Sequence, residues 1–267
     1  MVNQVFTNRR MYHIFRRDGR SLVAAMDHGA GLDVYPELSN PARVVDEIVA
    51  GGADAVLITP GLLKDCFHSL ESVGVILRVD GGSSALKSES KAHRLLYSVE
   101  DALRLGADAV ACMGFPGSSF EGATLENLAR LAGACQSWNV PLMAEMIPGG
   151  FANQEFHTPD KIRLAVRIGI DLGADFIKTK YAGPPESFRC VIEHAYRPVL
   201  VLGGEKASDE RTVFDMVRTA VDLGASGVVM GRQIWKHSRP RAMVSALNHL
   251  IHNNGSVEEA VDIMADA

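Results

Sequence analysis

One lysine lies inside an apolar segment that has the character of a buried strand. Lys178 belongs to the run FIKTKY at residues 176–181. Burial makes a lysine costly to ionise, so the neutral amine is favoured. A neutral amine attacks a ketone to form an iminium ion, which is an electron sink for making or breaking the adjacent carbon–carbon bond. The alternative is a lysine whose ammonium reaches solvent. Lys180 has the same strand parity but lies further out, so it is the weaker nucleophile candidate.

An aspartate and a histidine follow another apolar run, at residues 21–26. Asp27 is therefore predicted to lie at a strand end, where a carboxylate moves protons and binds substrate hydroxyls. The alternative is an aspartate that caps a helix or anchors a loop. His28 is a candidate proton shuttle or metal ligand, or a residue that only packs. The nine histidines are scattered, whereas a zinc site needs several convergent ligands, so we predict a metal-independent protein without a cofactor.

Two glycine sites follow the last two apolar runs of the main pattern. They are Gly203-Gly204 and Gly231-Arg232. Backbone amides at such turns, together with a helix N-terminus, bind phosphate at the ends of the seventh and eighth strands of many barrels. Arg232 would add a bidentate clamp. The alternative is that both sites are only tight turns.

A short phrase recurs four times and indicates how these residues are positioned. Gly-Ala-Asp, or Gly-Ala-Ser in the last copy, begins at Gly52, Gly106, Gly173 and Gly224, and each copy opens an apolar run. Glycine accepts the left-handed conformation that ends a helix, and alanine allows close packing. An apolar run suits a parallel strand that is buried on both faces. The phrase therefore predicts a junction from helix to strand.

The apolar runs predict eight strands in all. Four follow the phrase, and four more lie at 22–26, 75–79, 141–146 and 198–202. Asn40-Pro41 and Thr158-Pro159 predict helix starts between strands, and Ser208 and Thr124 are further cap candidates. Eight strands alternating with helices in 267 residues favour a single (β/α)8 TIM barrel of class α/β. We predict one domain, 1–267, with an N-terminal extension at 1–18 and a C-terminal helix at 255–267. A dinucleotide-binding GxGxxG does not follow the first strand.

The composition restricts the class of partner. The net charge is −5 and there is no long basic run, which argues against nucleic acid as a partner. The four cysteines are widely spaced, as expected for a reducing compartment. The N-terminal residues do not resemble a signal peptide, and no run approaches the roughly 20 apolar residues of a membrane span. We therefore expect a cytoplasmic protein that does not bind membranes.

Four motifs together resemble the archaeal-type class I fructose-bisphosphate aldolase family, which includes the aminodideoxyheptulosonate synthases and the autoinducer-2 thiolase. The motifs are MDHG at 26–29, FIKTKY at 176–181, GGEK at 203–206 and GRQIW at 231–235. The resemblance runs from about residue 19 to 252. It implies that Lys178 is the Schiff-base lysine, that Asp27 lies near the substrate, and that the residues at the two glycine sites hold a substrate phosphate. The latter are Gly203, Gly204, Gly231 and Arg232. It also implies a homo-oligomer, such as a decamer-type ring.

The fifth strand departs from the family pattern. The aldolase branch has Tyr-Pro-Arg-Gly there, with the tyrosine as proton donor or acceptor, whereas Ile147 and Gly149 take the places of the tyrosine and arginine here. Glu145 lies two residues earlier and points into the same interior. We hypothesise that Glu145 or His28 supplies the missing acid/base group. The alternative is that Glu145 only pairs with a nearby lysine.

The functional expectation is a Schiff-base aldolase acting on a small phosphorylated ketose, with fructose 1,6-bisphosphate and dihydroxyacetone phosphate as the default. Two alternatives remain open in which the lysine still matters: an aldol or transaldol synthase that uses aspartate semialdehyde, and a thiolase-like acyl transfer on a phosphorylated dione. A phosphate-binding barrel isomerase without covalent catalysis is an alternative from a different class. A further one is a barrel that has lost activity and serves assembly or regulation.

Overall fold

Eight parallel strands close into a barrel in the computed structural model, which describes residues 6, 8–28, 33–82, 84–86, 93–204 and 209–266. The strands pair in chain order, and the eighth pairs with the first. The (β/α)8 prediction is confirmed. The strands are β1 (Ser21–Ala25), β2 (Ala55–Ile58), β3 (Gly74–Arg78), β4 (Ala109–Gly114), β5 (Leu142–Met146), β6 (Phe176–Lys180), β7 (Val199–Leu202) and β8 (Gly227–Met230).

Helices lie outside the ring of strands and at both ends of the chain. They are α1 (Met11–Ile14), α2 (Pro41–Ala50), α3 (Pro60–Asp65), α4 (Val99–Arg104), α5 (Glu121–Trp138), α6 (Pro159–Asp171), α7 (Pro185–Glu193), α8 (Glu210–Asp222), α9 (Arg232–Trp235), α10 (Pro240–His252) and α11 (Val257–Ala265). Short 3-10 turns occur at Pro36–Leu38, Phe67–Leu70 and Gln154–Phe156, and the two-residue strands Asp80–Gly81 and Arg94–Leu95 pair antiparallel. None of the helices among the described residues has the length and apolar character needed to cross a membrane.

The predicted helix caps differ in outcome. Asn40 accepts a hydrogen bond from the backbone of Arg43, as the Asn-Pro pattern predicts. Thr158 takes the cap position of α6 without a side-chain capping bond. The prediction for Thr124 is wrong, because Thr124 lies within α5 and its hydroxyl donates to the Phe120 carbonyl one turn earlier.

The recurring phrase forms the junctions that the sequence predicts. Each of its glycines ends a helix with positive φ: +95° at Gly52, +78° at Gly106, +106° at Gly173 and +100° at Gly224. A side chain is strained in this conformation, which glycine adopts freely. The chain can therefore turn sharply from each helix into the strand that follows.

The aspartates of the phrase join neighbouring strands at the amino-terminal end of the barrel. Each aspartate donates its backbone N–H to the carbonyl of a residue on the preceding strand, and its carboxylate accepts the N–H of that same residue. Because both groups of one residue are satisfied, the strand ends are fixed in register. The carboxylates of Asp54, Asp108 and Asp175 accept from Leu22, Val75 and Leu142 at 2.6, 2.9 and 2.8 Å.

The barrel interior is apolar towards the amino-terminal ends of the strands and polar at their carboxyl ends. Side chains alternate along each strand, so every second residue points inward. Phe15, next to α1, packs edge-to-face on Phe176, with 5.4 Å between ring centroids, and helps close the lower end. Continuing the inward parity towards the carboxyl ends leads to charged residues, among them Asp27, Arg78, Glu145 and Lys178. The interior therefore ends in a charged layer at the mouth where barrel enzymes place their active sites.

Candidate active site

Lys178 and Glu145 form a buried pair at the mouth of the barrel. They are direct partners in the parallel pairing of β5 and β6. The Lys178 Nζ lies 2.8 Å from a carboxylate oxygen of Glu145, and the residues are 6% and 2% exposed. Lys178 therefore lies inside the ring of strands rather than extending into solvent, and Glu145 contacts the amine directly.

Arg78 is the centre of the charged layer. From the end of β3 its guanidinium donates to Asp27 at 2.9 Å, to Asp80 at 3.2 Å and to Glu145. Arg78 is only 4% exposed. A buried cation is tolerated only when it is paired, and here three carboxylates surround it. The guanidinium thus connects Asp27 on one side of the mouth to the Glu145–Lys178 pair on the other.

Arg78 and Asp80 were not predicted as site residues. Both were visible in the sequence: Arg78 interrupts the apolar run GVILRV at 74–79, and Asp80 follows one residue beyond it. An arginine with inward parity at a strand end is the signal that indicates a buried charge cluster.

The cluster stabilises ionised carboxylates in spite of burial. Burial raises the pKa of Asp27, but the charges of Arg78 and Lys178 outweigh it and lower that pKa to about 2. The pKa of Asp80 is likewise lowered, because Arg78 and a hydrogen bond from His93 outweigh its burial. Burial alone would lower the pKa of Arg78, but the surrounding carboxylates raise it well above its usual value. Asp27 is therefore ionised at neutral pH and acts there as a hydrogen-bond acceptor.

His28 lies between the first and eighth strands. Its ring packs edge-to-face on Trp235, with 5.4 Å between ring centroids, and its Nδ1 is 3.7 Å from Asp27. Burial lowers the pKa of His28; the Asp27 carboxylate acts in the opposite direction, and Lys178 and Arg232 add to the lowering. Its Nδ1 has no hydrogen-bond partner within the described part of the chain. The lowered pKa favours the neutral form of the His28 ring.

The two predicted glycine sites adjoin this cluster. Gly231 packs so closely that a Cβ atom there would lie 2.4 Å from the His28 ring and 2.5 Å from the carbonyl oxygen of Ala25. Gly231 precedes α9, which Arg232 begins. Gly203 accepts a hydrogen bond from Gln233 at 3.2 Å; Gly204 has φ +66°, and no atom of the described residues lies within 4 Å of its Cβ position.

Strand order places all the predicted site residues at one end of the barrel. β7 lies beside β6, with Leu202 opposite Lys180, so Gly203 and Gly204 continue from the strand next to Lys178. Gly231 and Arg232 follow β8, beside β1 and His28. The remaining motif residues Gly29, Glu205 and Lys206 lie outside the described residues, as does the cap candidate Ser208. Within the described ranges no group of three or more His, Cys, Asp or Glu residues could hold a metal ion.

Comparison with known proteins agrees with this architecture. A model of the DeoC/LacD family aldolases matches residues 21–237. The 2-amino-3,7-dideoxy-D-threo-hept-6-ulosonate synthase of Halobacterium salinarum is 35% identical over 244 residues, which cover 91% of each chain.

Two solved structures are similar over nearly their whole length. A crystal structure of an archaeal fructose 1,6-bisphosphate aldolase is 30% identical with a TM-score of 0.83 and covers 91% of this chain and 98% of its own. A second structure, with the same identity and coverage and a TM-score of 0.82, is described as an archaeal fructose-1,6-bisphosphate aldolase with the catalytic Lys covalently bound to the carbinolamine intermediate of the substrate. With the family model matching most of its length, this chain belongs to the DeoC/LacD aldolase family and is an aldolase-type lyase.

Proposed function

We propose that the protein is a class I aldolase in which Lys178 forms a Schiff base with a phosphorylated ketose. The observation that carries the proposal is the buried Lys178 amine, 2.8 Å from Glu145 at the carboxyl end of the barrel. The similar structure with a covalently bound catalytic lysine supports it. The default reaction is cleavage or formation of fructose 1,6-bisphosphate, with dihydroxyacetone phosphate as the ketone product.

Glu145 is proposed to handle the proton on the reacting nitrogen. Transfer of a proton from the Lys178 ammonium to Glu145 leaves a neutral amine and a neutral carboxyl group in contact. The amine adds to the C2 carbonyl of the ketose to give a carbinolamine. Glu145 then returns the proton to the departing hydroxyl, water leaves, and the iminium forms. Arg78 holds the Glu145 carboxyl in place throughout.

Asp27 and His28 are proposed to contact the substrate beside the iminium. Asp27 stays ionised because of Arg78 and Lys178, so it suits a hydrogen bond from a substrate hydroxyl. The unpartnered Nδ1 of His28 faces the same region between Asp27 and Gly231. A second hydrogen bond to substrate from this nitrogen would satisfy a buried polar atom that has no partner among the described residues.

The substrate phosphate is proposed to bind at Gly203, Gly204, Gly231 and Arg232. Exchanging Arg232 for glutamine is expected to raise KM for dihydroxyacetone phosphate about 10–100-fold, because a hydrogen bond to a charged group contributes about 1.5–3 kcal/mol. Activity on unphosphorylated dihydroxyacetone should change little, and steady-state kinetics on both ketones provides the comparison. An equal loss on both ketones would contradict a phosphate role for Arg232.

Aspartate semialdehyde is a second candidate for the aldehyde substrate. The 35% identical relative is named as an aminodideoxyheptulosonate synthase, which favours an aldol or transaldol reaction with aspartate semialdehyde as strongly as the fructose bisphosphate reaction. The replacement of the expected tyrosine by Ile147 also separates this chain from the aldolase branch. A thiolase-like transfer on a phosphorylated dione is the remaining alternative. Assaying dihydroxyacetone phosphate against a panel of aldehydes, including glyceraldehyde 3-phosphate and aspartate semialdehyde, will distinguish these reactions.

Trapping with borohydride tests the covalent step directly. Reduction in the presence of dihydroxyacetone phosphate is expected to add the mass of the reduced ketone to one site, and peptide mass spectrometry should locate it at Lys178. Reduction without ketone is the control. An isomerase without a covalent intermediate, or an inactive barrel, would give no adduct.

Several broader expectations stay predictions. They are a single domain with the extension at 1–18 and the terminal helix at 255–267, a homo-oligomer such as a decamer-type ring, a cytoplasmic location, and independence from metals and cofactors. Size-exclusion chromatography with light scattering will test the oligomer.

A further inference from the structure

The position expected to hold an acid/base tyrosine lies beside a second lysine. Glu145 pairs with Lys178 across β5 and β6, so continuing the parallel register by two residues places Ile147 opposite Lys180. The Thr179 hydroxyl donates to the Met146 carbonyl at 2.8 Å, which holds the two chains together between those pairs. Ile147 is fully buried and cannot move a proton. Lys180 is therefore an ionisable residue beside the position at which the family pattern has a tyrosine.

A histidine from the loop after β5 contacts this lysine. The Lys180 Nζ lies 3.0 Å from the Nδ1 of His157. The other ring nitrogen, Nε2, lies 2.9 Å from the Gly150 carbonyl, which only accepts hydrogen bonds, so Nε2 carries a proton. The Nδ1 atom is thus the nitrogen that gains or loses a proton. The side-chain oxygen of Gln154 lies 2.9 Å from Nδ1. When Nδ1 is protonated, it can donate a hydrogen bond to this oxygen.

The environment of the pair favours one shared proton rather than two. Burial lowers the pKa of Lys180. Burial also lowers the pKa of His157; the bond to Gly150 opposes this, and the charge of Lys180 adds to it. Within the described part of the chain no carboxylate forms an ion pair with Lys180, in contrast to Lys178 with Glu145. Two basic nitrogens in contact, both with a lowered pKa, are suited to donate and accept a single proton between them.

We propose that His157 and Lys180 together are the catalytic acid/base of the carbon–carbon bond step, in place of the tyrosine that Ile147 replaces. The inference rests on the proposed function, since it takes the substrate to be an iminium on Lys178. Two residues along a strand span about 7 Å, which leaves room for substrate carbons between the iminium nitrogen and Lys180.

The protons and electrons of the carbon–carbon bond step balance. In cleavage, the pair accepts the proton of the C4 hydroxyl, C4 becomes a carbonyl carbon, and the C3–C4 bond breaks. The bonding electrons move to the iminium nitrogen and give an enamine. The pair then returns the same proton to C3, which restores the iminium for hydrolysis. Synthesis follows the reverse order, and no further reactant is consumed.

Proton exchange at C3 of dihydroxyacetone phosphate tests the pair without any aldehyde. In D2O the wild type should exchange this proton through the iminium and enamine, and NMR measures the rate. His157→Gln and Lys180→Met are each expected to slow exchange about 10²–10⁴-fold, the usual size of a general acid/base effect. Borohydride adduct at Lys178 should form in wild-type yield in both variants. Lys161→Met is the matched control, because this exposed lysine contacts the same loop through the Glu155 carbonyl; its exchange rate should be unchanged.

The outcomes separate this inference from the proposed function. If the wild type forms no adduct, the Schiff-base function itself fails. If the adduct forms and both variants exchange at the wild-type rate, the His157–Lys180 inference is overturned. If Glu145→Gln keeps the borohydride adduct but loses exchange, while His157→Gln and Lys180→Met exchange at the wild-type rate, the C3 proton moves through Glu145 and the inference is overturned as well. Loss of the adduct in both His157→Gln and Lys180→Met would assign the pair to iminium formation and reject the role proposed here.

Discussion

Replacing Lys178 with methionine is expected to lower kcat by a factor on the order of 10⁴–10⁶ and to abolish the borohydride adduct. Methionine is about as long as lysine without its ammonium, so it fills much of the same space but cannot attack a carbonyl. Glu145 keeps its contact with Arg78 in the variant, so the fold should persist. Steady-state kinetics, mass spectrometry after reduction and circular dichroism measure the three properties.

Lys64→Met provides the comparison for that experiment. Lys64 is an exposed lysine in the last turn of α3, and its loss should leave both turnover and adduct at the wild-type level. Turnover of Lys178→Met within tenfold of the wild type would contradict covalent catalysis by Lys178. An adduct that persists on another lysine would contradict it equally.

Replacing Arg78 with methionine is expected to destabilise the protein by about 3–5 kcal/mol, because breaking a buried ion pair leaves an uncompensated charge. The Arg78 guanidinium forms ion pairs with Asp27, Asp80 and Glu145. In the variant these three carboxylates would remain buried together without the guanidinium. Turnover should fall as well, since Arg78 holds Glu145 beside Lys178. Urea unfolding at pH 7 gives the change in the free energy of unfolding.

The destabilisation by Arg78→Met should depend on pH in a defined direction. In the wild type the pKa of Asp27 is lowered from 3.8 to about 2, so its contribution to stability is present above about pH 4 and is lost as the pH falls towards 2. Without Arg78, burial raises the pKa of the same carboxyl, and protonation then relieves the variant. The stability difference between the proteins should therefore be largest at neutral pH and shrink on acidification.

Arg104→Met serves as the control for Arg78. Arg104 is exposed and pairs with Asp101 on the surface of α4, where ion pairs contribute little. Its replacement should leave the unfolding curve close to that of the wild type at every pH. A stability difference for Arg78→Met that grows on acidification would show that the guanidinium does not stabilise these carboxylates.

The sequence by itself determined the barrel and the strand ends that carry the chemistry. The Gly-Ala-Asp phrase marks junctions whose geometry depends on adjacent residues: a glycine with positive φ, a small alanine and a carboxylate that binds the neighbouring strand. Inward parity is equally local, because side chains alternate along a strand. Both features are written within a few residues, so the placement of Lys178 on a buried strand and of Asp27 at a strand end could be inferred without coordinates.

Only the tertiary structure decided which charges meet. Arg78 contacts Asp27 across 51 residues of sequence and Glu145 across 67, and His157 contacts Lys180 across 23. Closing eight strands into a ring brings their inward side chains together around one axis, and the pairing depends on strand register and rotamer rather than on spacing in the chain. Because buried charges are stable only with partners, that three-dimensional pairing sets the protonation of the site, and with it the chemistry that Lys178 can perform.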